Sequence, residues 1–146
     1  MLENQAKAYH PFFHNQLYGG FDEHSFIGAV MGASVNGAVH TYEVAQCFIE
    51  MENYLFDYMR KRVGWTDVDG VLTPGGSYAN FFAIHLARGR LHPDFHMKGI
   101  TGCPTMKMLV SESSHYSLRK GANLLGIGMD NVISVNTDDQ RRMIPA

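Results

Sequence analysis

A short apolar run, Gly70 to Thr73, leads into Pro74, Gly75 and Gly76 and then into a helical pattern, and the same succession returns further along the chain. From Ser77 to about Leu91 the residues Ala79, Phe82, Ala83, Leu86 and Ala87 recur at helical spacing. Met106 to Val110 is a second compact apolar run, followed by a helix from about His115 to Leu125 that stops at Gly126 and Gly128, and by Val132 to Val135 as a further strand. Strands that alternate with helices require crossover connections, so the fold class is α/β with a mostly parallel sheet flanked by helices. Such a sheet is expected to continue beyond the closing RRMIPA, since the last strand is not followed by its crossover helix.

Ahead of this region the chain reads as loop and helix. Pro11, Gly19 and Gly20 stand among Phe12, Phe13, Tyr18 and Phe21, which is loop chemistry with apolar anchors. Asp22 is placed to cap a helix running to about Ser34, with Phe26, Ile27, Val30 and Met31 on one face. From Tyr42 to Gly64, Val44, Cys47, Phe48, Met51, Leu55, Tyr58, Met59 and Val63 recur at three- and four-residue steps, with Glu43 near the start and Arg60 and Lys61 near the end. At 146 residues the chain suits one domain or part of one, divided into 1–69, loop and helices, and 70–146, the start of the α/β region.

Composition narrows the function. A net charge of −2 and a pI near 6.4 offer no long-range attraction to nucleic acid or anionic lipid. Cys47 and Cys103 lack metal-ligand spacing and are expected as free thiols in a reducing, cytoplasmic setting. No apolar stretch approaches the roughly eighteen residues of a membrane span, and MLENQAKAYHPFF lacks the regions of a secretory signal. His10 and His14 share an i, i+4 spacing but lie in a Pro-led loop, and Pro93 interrupts the face between His92 and His96, so no metal is expected.

Two features carry chemistry. Gly75, Gly76 and Ser77 stand where a strand turns into a helix, a position whose N–H groups and helix dipole suit a phosphate; the same glycines also serve simple turns, and Ser77 also reads as an N-cap. His115 occupies a second strand-to-helix transition, where ligands of open α/β sheets sit. Its imidazole suits stacking on a flat heteroaromatic ring or acid–base work, or equally a local cap.

The strings HPFFHNQLYGGFD from His10, HTYEVAQCFIEME from His40, GGSYANFFAIHLAR from Gly75 and SSHYSLRKGANLLGIGMDNV from Ser113 resemble, in this order, the group II pyridoxal-phosphate-dependent amino-acid decarboxylases. The resemblance runs from about His10 to Pro145 and is strongest to the branch with glutamate, cysteine sulfinate and acidic-amino-acid decarboxylases. It implies part of the large domain of a fold-type I enzyme, with pyridoxal 5'-phosphate as cofactor. Gly75, Gly76 and Ser77 would hold its phosphate, and His115 would stack on its pyridine ring as the catalytic residue. Gln16 and Tyr18 would face the acidic end of a small amino-acid substrate, and Tyr18 within QLYGG is nearer the sulfinate and aspartate decarboxylases than the animal glutamate decarboxylases.

The chain departs from the family where HPFFHNQ replaces HPRFFNQ and where Gln46 replaces a common proline. Among Lys7, Lys61, Lys98, Lys107 and Lys120, none sits where the family keeps its cofactor-bonding lysine, and the aspartate that pairs with the pyridine nitrogen lies in the family beyond the matched region. The resemblance therefore implies a homodimeric decarboxylase in full-length form, and an isolated chain that is inactive and holds the cofactor weakly and noncovalently. A different implication is a noncatalytic truncated product that binds a full-length subunit.

Overall fold

The computed structural model describes residues 4–15 and 19–144. The chain divides into two compact units, Met1–Asp69 and Gly70–Ala146.

In the first unit, helix α1 spans Glu23–Val35. Its cap is the one read from the sequence: the Asp22 carboxylate accepts the Ser25 N–H at 2.7 Å, which satisfies a first-turn donor that the helix itself cannot. Helix α2 spans Tyr42–Val63 and ends at Gly64, whose N–H donates to the Arg60 carbonyl. Ala45, with φ −123° and ψ 19°, interrupts the helical path near its start and is buried. The apolar faces read for both helices lie largely exposed, including Phe26 and Met31 on α1 and Met51, Leu55 and Tyr58 on α2. Cys47 and Cys103 are free thiols. No helix among the described residues is long and apolar enough to cross a membrane.

The second unit holds the packed core. Helix α3 spans Gly76–Leu91, a short helix α4 spans Phe95–Lys98, strand β1 spans Met108–Ser111, helix α5 spans Ser117–Leu124 and strand β2 spans Val132–Val135. β1 and β2 pair in parallel, Met108 opposite Val132 and Val110 opposite Ser134, with α5 as the crossover. Val110, Ala122 and Val132 form the buried centre, and Met108, Leu118 and Ile127 pack on it. Strand alternation sends Leu109 and Ile133 to the other face, where both are exposed.

Gly70–Thr73, expected as a buried strand, is irregular, with Val71 and Leu72 exposed. An apolar run becomes a strand only when a neighbour takes its backbone groups, and β1 and β2 pair with each other, not with this segment. The helix expected from His115 begins two residues later, because Tyr116 is its cap.

The core depends on how closely α5 approaches α3. A Cβ on Gly121 would stand 2.6 Å from Ile84 Cδ1 and 3.0 Å from Phe81 Cδ1. Beyond this contact, buried Arg88 of α3 donates to the Leu125 carbonyl, meets His85 Nδ1 at 3.0 Å and lies 3.7 Å from the centre of the Phe95 ring. Burial pushes the Arg88 pKa down, and its contacts tie the ends of α3 and α5 together with α4. After β2 the chain folds back through a bridge between Thr137 and Met143. The Glu112 carboxylate accepts the Thr137 N–H and hydroxyl, which joins the residues that follow β1 and β2.

Gly121→Ala is expected to lose about 1–3 kcal/mol by overpacking, read from denaturant midpoints, and Ile84→Val, which removes the nearest atom, should reduce that loss. Acid should also weaken the fold. The hydroxyl and N–H of Thr137 hold Glu112 below its ordinary 4.5, and hydrogen bonds from Ser25 and Arg142 hold Asp22 and Asp138 below 3.8. A depressed carboxylate stabilises the fold above its ordinary pKa, and the contribution is lost as pH falls through the folded value. Denaturant midpoints should therefore fall below about pH 4.5, and Glu112→Gln should flatten part of that fall.

Candidate functional site

The turn before α3 is built by Pro74 and Gly75. The Gly75 N–H donates back to the Thr73 carbonyl at 2.8 Å, and Gly75 takes φ 97° and ψ 161°, a backbone region open essentially to glycine alone. The Gly75 carbonyl then accepts the Ala79 N–H at 3.3 Å and opens the helix. The N–H groups of Gly76, Ser77 and Tyr78 consequently precede the first intrahelical donor, the Ala79 N–H, and point out of the positive end of the helix dipole. A Cβ on Gly76 would meet nothing within 4 Å, so there is open space beside the turn at that residue. The cap is Gly75 and makes no side-chain bond, which separates Ser77 from the capping role that its sequence position also suggested. Free N–H groups, a nearby hydroxyl and open space beside the turn fit a phosphate.

His115 is exposed and stands just before α5, its ring centre 4.1 Å from that of Tyr116. Its Nδ1 accepts the Ser117 N–H at 3.2 Å and lies 2.8 Å from Ser117 Oγ. One ring nitrogen therefore serves the helix start, as the local reading expected, while the imidazole itself stays accessible. An exposed flat ring of this kind fits stacking on a heteroaromatic ligand.

The link between the two features is Asn80, three residues after Ser77 and four after Gly76, hence on the same face of α3. Its Nδ2 donates to Ser117 Oγ at 2.7 Å, and Ser117 is fully buried. Gly76, Ser77 and His115 are in this way brought to one region by a contact between residues 37 apart. Neither Asn80 nor Ser117 stood out in the sequence. The usable signals were the Ser77-x-x-Asn80 spacing and the His115-x-Ser117 pair, both too short to mean much before α3 and α5 are known to touch. Gln16 and Tyr18 lie outside the described residues. Lys120 holds its ammonium 4.5 Å from the Tyr116 ring centre.

The family model for the pyridoxal-dependent decarboxylase conserved domain matches residues 1–146. The acidic amino acid decarboxylase GADL1 of Xenopus tropicalis is 41% identical over 99% of this chain and 28% of its own length. The cysteine sulfinic acid decarboxylase of Mus musculus is 40% identical over 99% of this chain and 29% of its own. The crystal structure of mouse CSAD superposes with a TM-score of 0.92 at 41% identity, covering 97% of this chain and 30% of that one. A glutamate decarboxylase domain from Vibrio parahaemolyticus shares the fold, with a TM-score of 0.82 at 20% identity, over 94% of this chain and 31% of that one. The chain thus spans less than a third of the length of the proteins it matches. Its fold is that of part of the α/β large domain of a fold-type I enzyme, and the chain belongs to the group II pyridoxal-dependent decarboxylases, in their acidic-amino-acid branch.

Proposed function

We propose that this chain forms the opening, cofactor-holding part of an enzyme that decarboxylates an acidic amino acid with pyridoxal 5'-phosphate. The observation that carries this reading is the Asn80–Ser117–His115 contact, which joins the open turn of α3 to an accessible imidazole. The N–H groups of Gly76 and Ser77, with the Ser77 hydroxyl, would bind the phosphate, and Gly75 gives the turn its shape. His115 would lie flat against the pyridine ring and exclude water from that side. The bound cofactor supplies an electron sink for the bond broken at the substrate α-carbon. Gln16 and Tyr18 are proposed to recognise the distal acid, which leaves glutamate, cysteine sulfinate and aspartate as the substrate class.

Residues 1–69 and 70–146 are proposed as successive parts of one large domain, in an enzyme that is cytoplasmic and homodimeric in its full-length form. The isolated chain is proposed to be inactive and to hold the cofactor noncovalently. Two of its lysines are engaged elsewhere: Lys98 pairs with Asp94 at 2.6 Å, and Lys120 lies over Tyr116. A second reading, a noncatalytic product that binds a full-length decarboxylase subunit, is weakened by the exposed apolar residues Leu109 and Ile133 on the sheet and Met51 and Leu55 on α2. A molten or aggregating isolated chain would count against it, because an evolved module should cover such faces.

Titration of the 146-residue chain with pyridoxal 5'-phosphate should show weak binding, and borohydride should trap the cofactor on no single lysine. Gly76→Ala, whose added methyl meets no protein atom within 4 Å, should weaken that binding on the order of tenfold, about 1.4 kcal/mol. Stoichiometric labelling of Lys120 would overturn the noncovalent assignment. In a full-length form, His115→Ala should cut turnover strongly, and unchanged kinetics would remove its stacking role.

A further inference from the structure

His115, Ser117 and Asn80 form a chain of hydrogen bonds whose direction is fixed by a group that cannot rotate. The backbone N–H of Ser117 donates to His115 Nδ1 at 3.2 Å, so Nδ1 is an acceptor and the neutral ring carries its proton on Nε2. Ser117 Oγ is 2.8 Å from the same nitrogen. With no proton on Nδ1, the hydroxyl must be the donor of that bond. Its oxygen then has lone pairs left, and the Asn80 amide supplies the matching donor at 2.7 Å. Every bond agrees in direction: Asn80 Nδ2–H to Ser117 Oγ, Ser117 Oγ–H to His115 Nδ1, and Ser117 N–H to the same nitrogen. Because Ser117 is fully buried, a reversed or missing bond would leave a polar group without water to replace its partner.

From this geometry we propose that Asn80 and Ser117 are positioning residues that lock the His115 imidazole as the Nε2–H tautomer and fix its plane relative to the first turn of α3. Asn80 acts through Ser117 and need not touch a ligand. Its amide sets which way the Ser117 hydroxyl points, and the hydroxyl adds a second donor at the ring nitrogen that the Ser117 N–H already holds as an acceptor. The consequence for the site is that the stacking ring and the phosphate-binding turn keep one mutual setting. Nε2–H is then the ring's outward donor, the proton available to a bound molecule. In its meaning for the cofactor this rests on the function proposed above, whereas the tautomer is a property of the chain alone.

The test is 15N NMR of the histidine ring nitrogens in the labelled 146-residue chain without cofactor, with His115→Gln to assign the signals. In the folded chain the ratio of Nε2–H to Nδ1–H tautomer at His115 should exceed that in the urea-unfolded chain by about tenfold or more, since each tenfold is worth about 1.4 kcal/mol and two donors converge on Nδ1. Asn80→Asp keeps the shape but can only accept, so it should turn the Ser117 hydroxyl away, leave the Ser117 N–H as the one donor at Nδ1 and lower the ratio by about threefold or more, toward the unfolded value. Ser117→Ala should do the same, while Ser117→Thr, which keeps the hydroxyl, should retain the ratio. Should Asn80→Asp not fold by circular dichroism, Ser117→Ala carries the comparison. A wild-type ratio equal to that of the unfolded chain, or an unchanged ratio in a folded Asn80→Asp or Ser117→Ala variant, would overturn the proposal. Failure of the wild-type chain to bind pyridoxal 5'-phosphate would count against the proposed function and leave the tautomer result standing.

Discussion

The close approach of α5 to α3 is the contact on which the rest of the second unit depends. It is possible because Gly121 presents no side chain to Ile84 and Phe81. With the helices that near, the Arg88 guanidinium reaches the Leu125 carbonyl at one end and the Asn80 amide reaches Ser117 at the other. The pair is thereby pinned at both ends, and both candidate ligand-binding features lie at the Asn80 end. α5 also supplies Ala122 to the strand core, so the same helix faces the sheet on one side and α3 on the other. Two candidate binding features that must keep one mutual setting benefit from a rigid joint of this type.

Much of this was legible in the sequence, for reasons that differ by element. Asp22 signals its helix because a carboxylate in that position can serve only a few nearby N–H groups, and α2 announces itself by a long apolar period and a terminal glycine. β1, α5 and β2 follow from short apolar runs between turn residues. The run at 70–73 looked the same and is not a strand, because local pattern records the hydrophobicity of a segment but not whether a neighbour pairs with it.

The site shows the same division between local and distant information. Gly75, Gly76, Ser77 and His115 stood out as candidates because turn chemistry and family strings mark them locally. The contact that joins them did not, since Asn80 and Ser117 are ordinary helix residues until two segments 37 positions apart are known to meet. Apolar periodicity was likewise a good guide to helix position and a poor guide to burial. The faces of α1 and α2 recur at the right spacing yet remain largely exposed, so their period reports a surface suited to packing and does not identify what packs there.

Gly75 and Gly76 are neighbours in the gene but shape the turn under different physical constraints. At Gly75 the backbone itself excludes side chains, so every missense change of that codon is a folding lesion, with no conservative substitute among the other amino acids. At Gly76 the backbone is ordinary and an added Cβ meets nothing, so alanine there leaves the unliganded protein intact and is felt only by whatever comes to rest on the turn. A survey of natural variants by protein abundance would therefore detect changes at the first codon and pass over the second, although both alter the same turn.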